Sequence, residues 1–277
     1  MKPRPEVSNS TLPLAGQRVL VTRPEHQADA LCASLIALGA EAIRFPTLNI
    51  RPTTKDDHDY PHLNNCFLNL DQYHAVIFIS ANAAKIGYDW IDHYWPQLPV
   101  ATLWLAVGAA TGRCLSQLGL PASAAGGSMD TETLLALPQL QQICDSKILI
   151  CRGQGGREQL ADELRLRGAK VDYADLYQRE IPVYSQPEIK SIIYKSAISA
   201  ILVSSGEGLC NLLNLTKQPD SKKSALSNTP LVVPSQRVAI LAQQGHFNHI
   251  EVAANATDAA MIDALLALIA TQGRVEY

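Results

Sequence analysis

Two stretches of the chain, residues 18–45 and 147–174, repeat one another and decide the fold. The first reads RVLVTRPEHQADALCASLIALGAEAIRF and the second reads KILICRGQGGREQLADELRLRGAKVDYA. Aligned without gaps, they place Arg23 opposite Arg152. In each stretch an apolar run leads into leucines at helical spacing and then into a second short run. This is the pattern of a strand–helix–strand unit.

Three further pairs of segments repeat in the same order along the chain. VIFISANA resembles ILVSSGEG, AVGAATGRCLSQLG resembles VVPSQRVAILAQQG, and Thr131-Glu132 matches Thr257-Asp258. The preserved order favours a duplication over the general likeness of all strand–helix units. Short apolar strands that alternate with helices are typical of parallel sheets covered on both faces. We therefore expect an α/β fold with two similar parallel-sheet domains.

The composition excludes several classes of protein. Of the 277 residues, 47% are hydrophobic and 18% are charged, so the chain can bury a sizeable core. The net charge is -3, without the basic excess typical of nucleic-acid binding. No apolar run approaches the about 18–20 residues of a membrane span. Residues 1–16 contain no apolar signal-peptide core and are interpreted as a flexible lead-in, so we expect a cytoplasmic protein.

Metal and nucleotide motifs are missing from the sequence. The six cysteines form no C-x-x-C pair, and no His/Cys cluster has the spacing of metal ligands. There is no G-x-G-x-x-G fingerprint and no P-loop. The sequence therefore shows no motif for a metal ion or a nucleotide cofactor, and a nucleotide-dependent enzyme with paired α/β domains is disfavoured.

Hydroxyl residues stand where predicted strands end and helices begin. Ligands of open α/β sheets bind at such places, because the free N–H groups of a helix start attract anions. The hydroxyl residues in question are Ser80, Thr111, Ser205 and Ser235. A serine in this position can instead cap its own helix, which is the commoner role. Two such domains facing each other would form a cleft for a large, multiply anionic small molecule.

The string RGQGGR at residues 152–157 is the most unusual local sequence. Gly155 and Gly156, between Arg152 and Arg157, can form a backbone cradle for an anion. The alternative is a flexible turn whose arginines pair with carboxylates. Arg23 occupies the matching place in the first half of the chain.

Tyr177 lies in ADLYQREIP, where the chain leaves one predicted unit for the next. A tyrosine near a strand end is usually a packing residue with a satisfied hydroxyl. At a domain junction its hydroxyl can instead serve as a proton donor. Residue type alone favours packing.

The ordered segments resemble those of the uroporphyrinogen-III synthases, enzymes of porphyrin, tetrapyrrole and heme biosynthesis. The resemblance spans about residues 17–270 and rests on VLVTRP, GAEAIRFPTLNI, AVIFISANA, AVGAATGRCL, the block GRE…L…L…GA…V…YQR…P, AILVSSGEG, VVPSQRVAILAQQG and ATDAAMIDALL. It implies two similar α/β domains, between which the chain crosses twice through a two-stranded linker. Residues 17–48 with 182–277 would form domain 1, and residues 49–181 would form domain 2.

The resemblance implies a cofactor-independent hydro-lyase. No feature of the sequence demands more than a monomer. The family converts the linear tetrapyrrole hydroxymethylbilane into cyclic uroporphyrinogen III. Water is lost, the terminal pyrrole ring is inverted, and the macrocycle closes. The small-molecule substrate could pass by transient channelling from hydroxymethylbilane synthase. The chemistry depends mainly on holding the substrate in the folded geometry that leads to inversion.

The resemblance also assigns roles to the candidate residues. Tyr177 matches the tyrosine proposed to help the substrate hydroxyl depart. Ser80, Thr111, Ser205 and Ser235 fall where the family presents hydroxyls to the substrate. Backbone N–H groups of Gly155 and Gly156 would bind a carboxylate, and Arg23 and Arg152 are further substrate-binding candidates. Because a phenol is a weak acid, loss of Tyr177 is expected to slow the reaction without abolishing it.

A non-catalytic protein is the alternative function. A duplicated α/β module of this kind would bind an anionic metabolite or tetrapyrrole and convert nothing. The substitution Tyr177→Phe would leave its ligand affinity unchanged, whereas it would lower the turnover of a synthase.

Overall fold

The computed structural model describes residues 12–121, 130–156, 158–217 and 226–272. The chain divides into two compact units, each described below by itself. Unit 1 comprises Met1–Asn49 and Glu180–Tyr277, and unit 2 comprises Ile50–Arg179. The sequence-based boundaries were expected at 48/49 and 181/182.

Most strands of the described residues are short. In chain order they are β1 (Arg18–Val21), β2 (Glu41–Arg44), β3 (Asn49–Pro52), β4 (Ala75–Phe78), β5 (Leu103–Ala106), β6 (Lys147–Gly153), β7 (Lys170–Glu180), β8 (Ala200–Leu202), β9 (Leu231–Val233) and β10 (Ile250–Val252).

Helices follow most of these strands. They are α1 (Glu25–Ala37), α2 (Tyr60–Leu68), α3 (Ala81–Tyr94), α4 (Ala109–Gln117), α5 (Thr131–Leu135), α6 (Gln159–Leu166), α7 (Gln186–Lys190), α8 (Gly206–Leu215), α9 (Gln236–Gln244) and α10 (Asp258–Gln272). No helix of the described residues is long and apolar enough to cross a membrane.

Each unit contains one five-stranded sheet. The order in unit 1 is β10-β9-β8-β1-β2, and every neighbouring pair is parallel. The order in the other sheet is β3-β7-β6-β4-β5, in which β7, β6, β4 and β5 pair in parallel. The expected α/β fold with two parallel sheets is confirmed.

Each sheet separates two apolar cores, which explains why its central strands are apolar throughout. In β4, Val76 and Phe78 face one core of unit 2, while Ala75 and Ile77 face the other. In β1, Val19 and Val21 face one core of unit 1, while Leu20 faces the other.

The repeated glycines end equivalent helices in the two units. Gly39 follows α1 with φ 95°, and Gly168 follows α6 with φ 85°. In this left-handed region a side chain would be strained. The next residue then donates back to the helix in the same way, from Ala40 N to Leu35 O at 3.0 Å and from Ala169 N to Leu164 O at 3.1 Å. The duplication seen in the sequence is thus repeated in backbone hydrogen bonding.

The segment interpreted as a lead-in is partly built into unit 1. Residues 1–11 lie outside the described part of the chain, but residues 12–16 form a turn. Leu14 in this turn is fully buried against the core that contains Val19 and Leu35. Its N–H donates to Leu38 O at 2.9 Å.

Candidate functional site

A cavity of about 720 Å³ lies in unit 2 where β4, β5 and β6 end. This is the edge at which open parallel sheets bind ligands. Its lining comprises Ile79, Ser80, Val107, Gly108, Asp130, Thr131, Glu132, Ile150, Arg152, Gly153, Gly155, Gly156, Gln159, Leu160, Tyr173, Tyr177 and Arg179.

Tyr177 and Ser80 form a hydroxyl pair on the cavity wall. The tyrosine is 4% exposed, and its Oη lies 3.1 Å from Ser80 Oγ. Ser80 is also the N-cap of α3, and its Oγ accepts a hydrogen bond from Ala83 N at 3.0 Å. Tyr177 therefore packs in the core and Ser80 caps a helix, while both residues also line the cavity.

Arg152 is a buried cation held by two carboxylates. Its side chain is 9% exposed, with Nε donating to Asp175 at 2.8 Å and Nη1 donating to Glu158 at 3.0 Å. Its guanidinium also lies 3.5 Å above the centre of the Tyr173 ring. Burial disfavours its charge, but the hydrogen bonds to Glu158 and Asp175 outweigh burial and raise the pKa of Arg152.

The second carboxylate oxygen of Glu158 completes this group, since it accepts a hydrogen bond from the Tyr173 hydroxyl. This bond, with that from Arg152, lowers the pKa of Glu158. Burial and the same carboxylate raise the pKa of Tyr173. Arg152 is thus paired with carboxylates, as in the alternative stated for the RGQGGR string.

Gly155 and Gly156 line the cavity with left-handed backbone. Their φ angles are 73° and 125°, and a Cβ at either position would meet no atom within 4 Å. Glycine is therefore favoured here by backbone conformation and not by crowding. Arg157, which follows them, lies outside the described residues.

The remaining candidates do not line this cavity. Thr111, in α4, is 3% exposed. Arg23, in unit 1, pairs with Asp258 and donates to Ala256 O. Ser205 caps α8, accepting from Gly208 N at 3.0 Å. Ser235 is the half-exposed residue before α9, and its side chain makes no capping bond to the helix.

Several cavity residues were missed by sequence reasoning. Thr131 and Glu132 were noticed as part of the repeat but not as site residues. Arg179 lies in the YQR of the quoted family block and was likewise passed over. Asp130, which accepts from Thr133 N at 2.8 Å, follows a segment without a recognisable motif. Among the described residues, no group of three or more His, Cys, Asp or Glu could hold a metal ion.

Residues 14–263 match a protein-family model described as "Uroporphyrinogen-III synthase HemD". The chain belongs to the uroporphyrinogen-III synthase family. A uroporphyrinogen-III synthase from Salmonella typhimurium is 34% identical over 253 residues, which cover 89% of this chain and 99% of the relative. The one from Escherichia coli is 32% identical over 251 residues, with the same coverage. The resemblance found in the sequence is confirmed.

Solved structures of synthases share the fold. A mutant uroporphyrinogen III synthase from Thermus thermophilus matches with a TM-score of 0.60 and 16% identity, covering 92% of this chain and 99% of its own. The synthase from Helicobacter pylori matches with a TM-score of 0.57 and 11% identity, covering 91% and 99%. At these identities the likeness concerns architecture alone.

Proposed function

We propose that this protein is a uroporphyrinogen-III synthase. It converts hydroxymethylbilane into uroporphyrinogen III by loss of water, inversion of the terminal pyrrole ring and closure of the macrocycle. Family membership supports the reaction, and the Tyr177–Ser80 hydroxyl pair on the cavity wall is the observation that carries the assignment of its site. This makes the protein a hydro-lyase that needs no cofactor.

The first chemical step is departure of the substrate hydroxyl. The C–O bond breaks as Tyr177 Oη donates a proton, and the hydroxyl leaves as water. Ser80 Oγ, at 3.1 Å, can then donate to the phenolate oxygen and stabilise its charge until the proton returns. The cation left on the substrate is delocalised over its pyrrole, so a weak acid suffices.

The second step depends on geometry. The substituted carbon of the terminal ring must attack the cation. Its original bond to the neighbouring bridging carbon then breaks and re-forms at the unsubstituted position of the same ring, which releases a proton, so the ring ends up inverted as the macrocycle closes. Direct attack by the unsubstituted position gives the non-inverted isomer. A protein favours one attack over the other by holding the reacting atoms close and aligned. The carboxylates that the substrate itself carries are the groups by which the protein can hold it in this geometry.

Backbone groups are our main candidates for binding those carboxylates. Gly155 and Gly156, whose backbone N–H groups can donate to a carboxylate, line the cavity together with Arg152 and Arg179. We also propose substrate contacts outside this cavity, from Arg23, Thr111, Ser205 and Ser235. We also propose a monomer that acts in the cytoplasm and receives its substrate by transient channelling from hydroxymethylbilane synthase.

A coupled isomer assay tests the activity. Hydroxymethylbilane is generated in place from porphobilinogen and its deaminase, the purified protein is added, and the oxidised uroporphyrins are separated by chromatography. We expect a shift from isomer I to isomer III. Isomer I alone, from folded protein that still binds the bilane, would contradict a synthase and favour the non-catalytic module.

The substitution Tyr177→Phe tests the proposed acid. Because the ring stays and the hydroxyl goes, we expect turnover to fall about 10- to 100-fold with residual activity. Tyr184→Phe is the matched control, since it removes a hydroxyl that donates to Pro46 O at 2.8 Å in unit 1. Equal turnover in both variants would remove Tyr177 from the mechanism.

A further inference from the structure

The ladder between β6 and β7 contains one extra residue beside the cavity. From Lys147 to Arg152 the strands pair one to one, ending with Arg152 opposite Asp175. The next pair joins Gly153 to Tyr177, so Leu176 has no partner of its own on β6. This is a β-bulge, a feature that redirects the side chains that follow it.

The bulge changes the face on which Tyr177 lies. Successive side chains of a strand point to opposite faces, so Tyr177 would be expected on the face of Tyr173. Instead Tyr177 packs in the same core as its neighbour Leu176, together with Ala174, whereas Tyr173 packs against the opposite core. The extra residue thus brings the Tyr177 hydroxyl to Ser80.

Gly153 provides the space that the redirected ring occupies. A Cβ at this position would lie 2.5 Å from Tyr177 Cε2 and 2.6 Å from Cζ, far inside any normal contact. The φ of Gly153 is not in the left-handed region, so the backbone would accept alanine and only the ring would be displaced. Since Cζ carries the hydroxyl, displacement moves the reactive atom directly.

Hydrogen bonds hold the backbone of the bulge from both neighbouring strands. Gln154 N donates to Tyr177 O at 2.7 Å, just past β6. On the other side, Thr53 N donates to Leu176 O at 2.9 Å, and Thr53 Oγ1 donates to Asp175 O at 2.7 Å. The carbonyls before, at and after the extra residue are therefore all bound.

We propose that Gly153 is a positioning residue for the reaction, because its missing side chain seats the ring of Tyr177 in the bulge and so aims the hydroxyl at the substrate beside Ser80. This inference rests on the proposed synthase activity. Gly153 does not act on the substrate itself. It acts through Tyr177, so its effect must vanish when the Tyr177 hydroxyl is absent.

A double-mutant cycle in the full-length protein tests this with the isomer assay. We expect Gly153→Ala to lower kcat about 10- to 100-fold while KM changes by less than about twofold, as a small misplacement of a reacting group would. In the Tyr177→Phe background the same substitution should lower kcat less than about twofold further. If Gly153 mattered only for folding, Gly153→Ala would not lower kcat selectively at constant KM. Its effect on kcat would also be the same with and without the Tyr177 hydroxyl.

Gly245→Ala is the matched packing control. Its new Cβ would lie 2.7 Å from Leu213 Cδ1 in unit 1, a similar clash away from Tyr177. We expect it to lower the melting temperature while the folded protein keeps its kcat. Full activity in Gly153→Ala, or an equal loss with and without the Tyr177 hydroxyl, would overturn the inference.

Thr53→Val keeps the inference testable if Gly153→Ala does not fold. It removes the hydroxyl bond to Asp175 O but preserves side-chain shape, so we expect kcat to fall about 3- to 10-fold, again only while Tyr177 is present. Unchanged kcat in Thr53→Val would then count against the bulge. Failure of the proposed function itself is distinguishable, because the unsubstituted protein would then produce no isomer III.

Discussion

At the scale of single residues, Arg152 shows why an arginine that lines a cavity does not necessarily bind an anionic ligand. A buried guanidinium is costly unless carboxylates and hydrogen bonds compensate it. Here Asp175 and Glu158 do so, and Tyr173 covers its face. With its charge already balanced, Arg152 attracts a substrate carboxylate less than an unpaired arginine would. This strengthens the case for the backbone N–H groups of Gly155 and Gly156.

Asp57 provides a residue-scale prediction about acid stability. Its carboxylate accepts from Arg51 Nη1 at 2.9 Å and from Thr54 N at 2.7 Å, and these bonds hold its pKa well below the usual range. A carboxyl whose folded pKa is depressed stabilises the fold above the unfolded pKa of about 4, and this contribution is lost as the pH falls below that value.

We therefore expect Asp57→Asn to lower the melting temperature at pH 6 and to flatten its decline as the pH falls below about 4. The difference between the melting temperatures of variant and unsubstituted protein should narrow steadily toward pH 2. Asp89→Asn, at an exposed position of α3, controls for the loss of one negative charge. Parallel melting curves for Asp57→Asn and the unsubstituted protein at every pH would contradict the assignment.

At the scale of elements, the start of α3 combines a structural and a chemical task. Ser80→Ala should cost about 1 kcal/mol of stability, because Ala83 N loses its capping partner. It should also slow turnover, because Tyr177 loses the hydroxyl beside it. Ser185→Ala in unit 1 is the control, because it removes the N-cap of α7. The Oγ of Ser185 accepts a hydrogen bond from Glu188 N at 3.4 Å. Urea unfolding and the isomer assay should show a stability loss in both variants but slowed turnover only for Ser80→Ala.

The elements that the sequence predicted well are those with a local signal. The apolar runs of β1, β4 and β5 and the periodic leucines of α1 and α6 are read within a single window. Residues 18–45 and 147–174, expected to be strand–helix–strand units, contain β1, α1 and β2, and β6, α6 and the start of β7. By contrast, α2 has no clear local signal, because its sequence YPHLNNCFL begins in a polar stretch and carries a weak pattern.

Strands stabilised by tertiary contacts have no local sequence pattern, and the two-stranded linker was expected only from the resemblance. The expected linkers contain β3 and the second half of β7, both rich in polar residues. Their partners are distant along the chain, as in the bonds from Thr53 N to Leu176 O and from Arg51 Nη2 to Gln178 Oε1. The bulge at Leu176 has no sequence signature either. Residue type alone therefore favoured packing for Tyr177, and the resemblance was needed to suggest its chemistry.

At the scale of the whole molecule, the duplication produces two units that each have their own cores. Leu164 is fully buried in a core of unit 2 and Leu265 in a core of unit 1. Truncating either to alanine leaves a cavity, which typically costs about 2–5 kcal/mol. The damage should be confined first to the unit whose core is opened, since local stability follows local packing.

Hydrogen exchange measured peptide by peptide tests this independence. We expect Leu164→Ala to reduce protection mainly within residues 50–179, and Leu265→Ala to reduce it mainly within 12–49 and 180–272. Each variant is the control for the other, because the same side chain is truncated at equal burial. An equal loss of protection in both units from either substitution would mean that the two units unfold as one cooperative body, which the separate cores of each unit argue against.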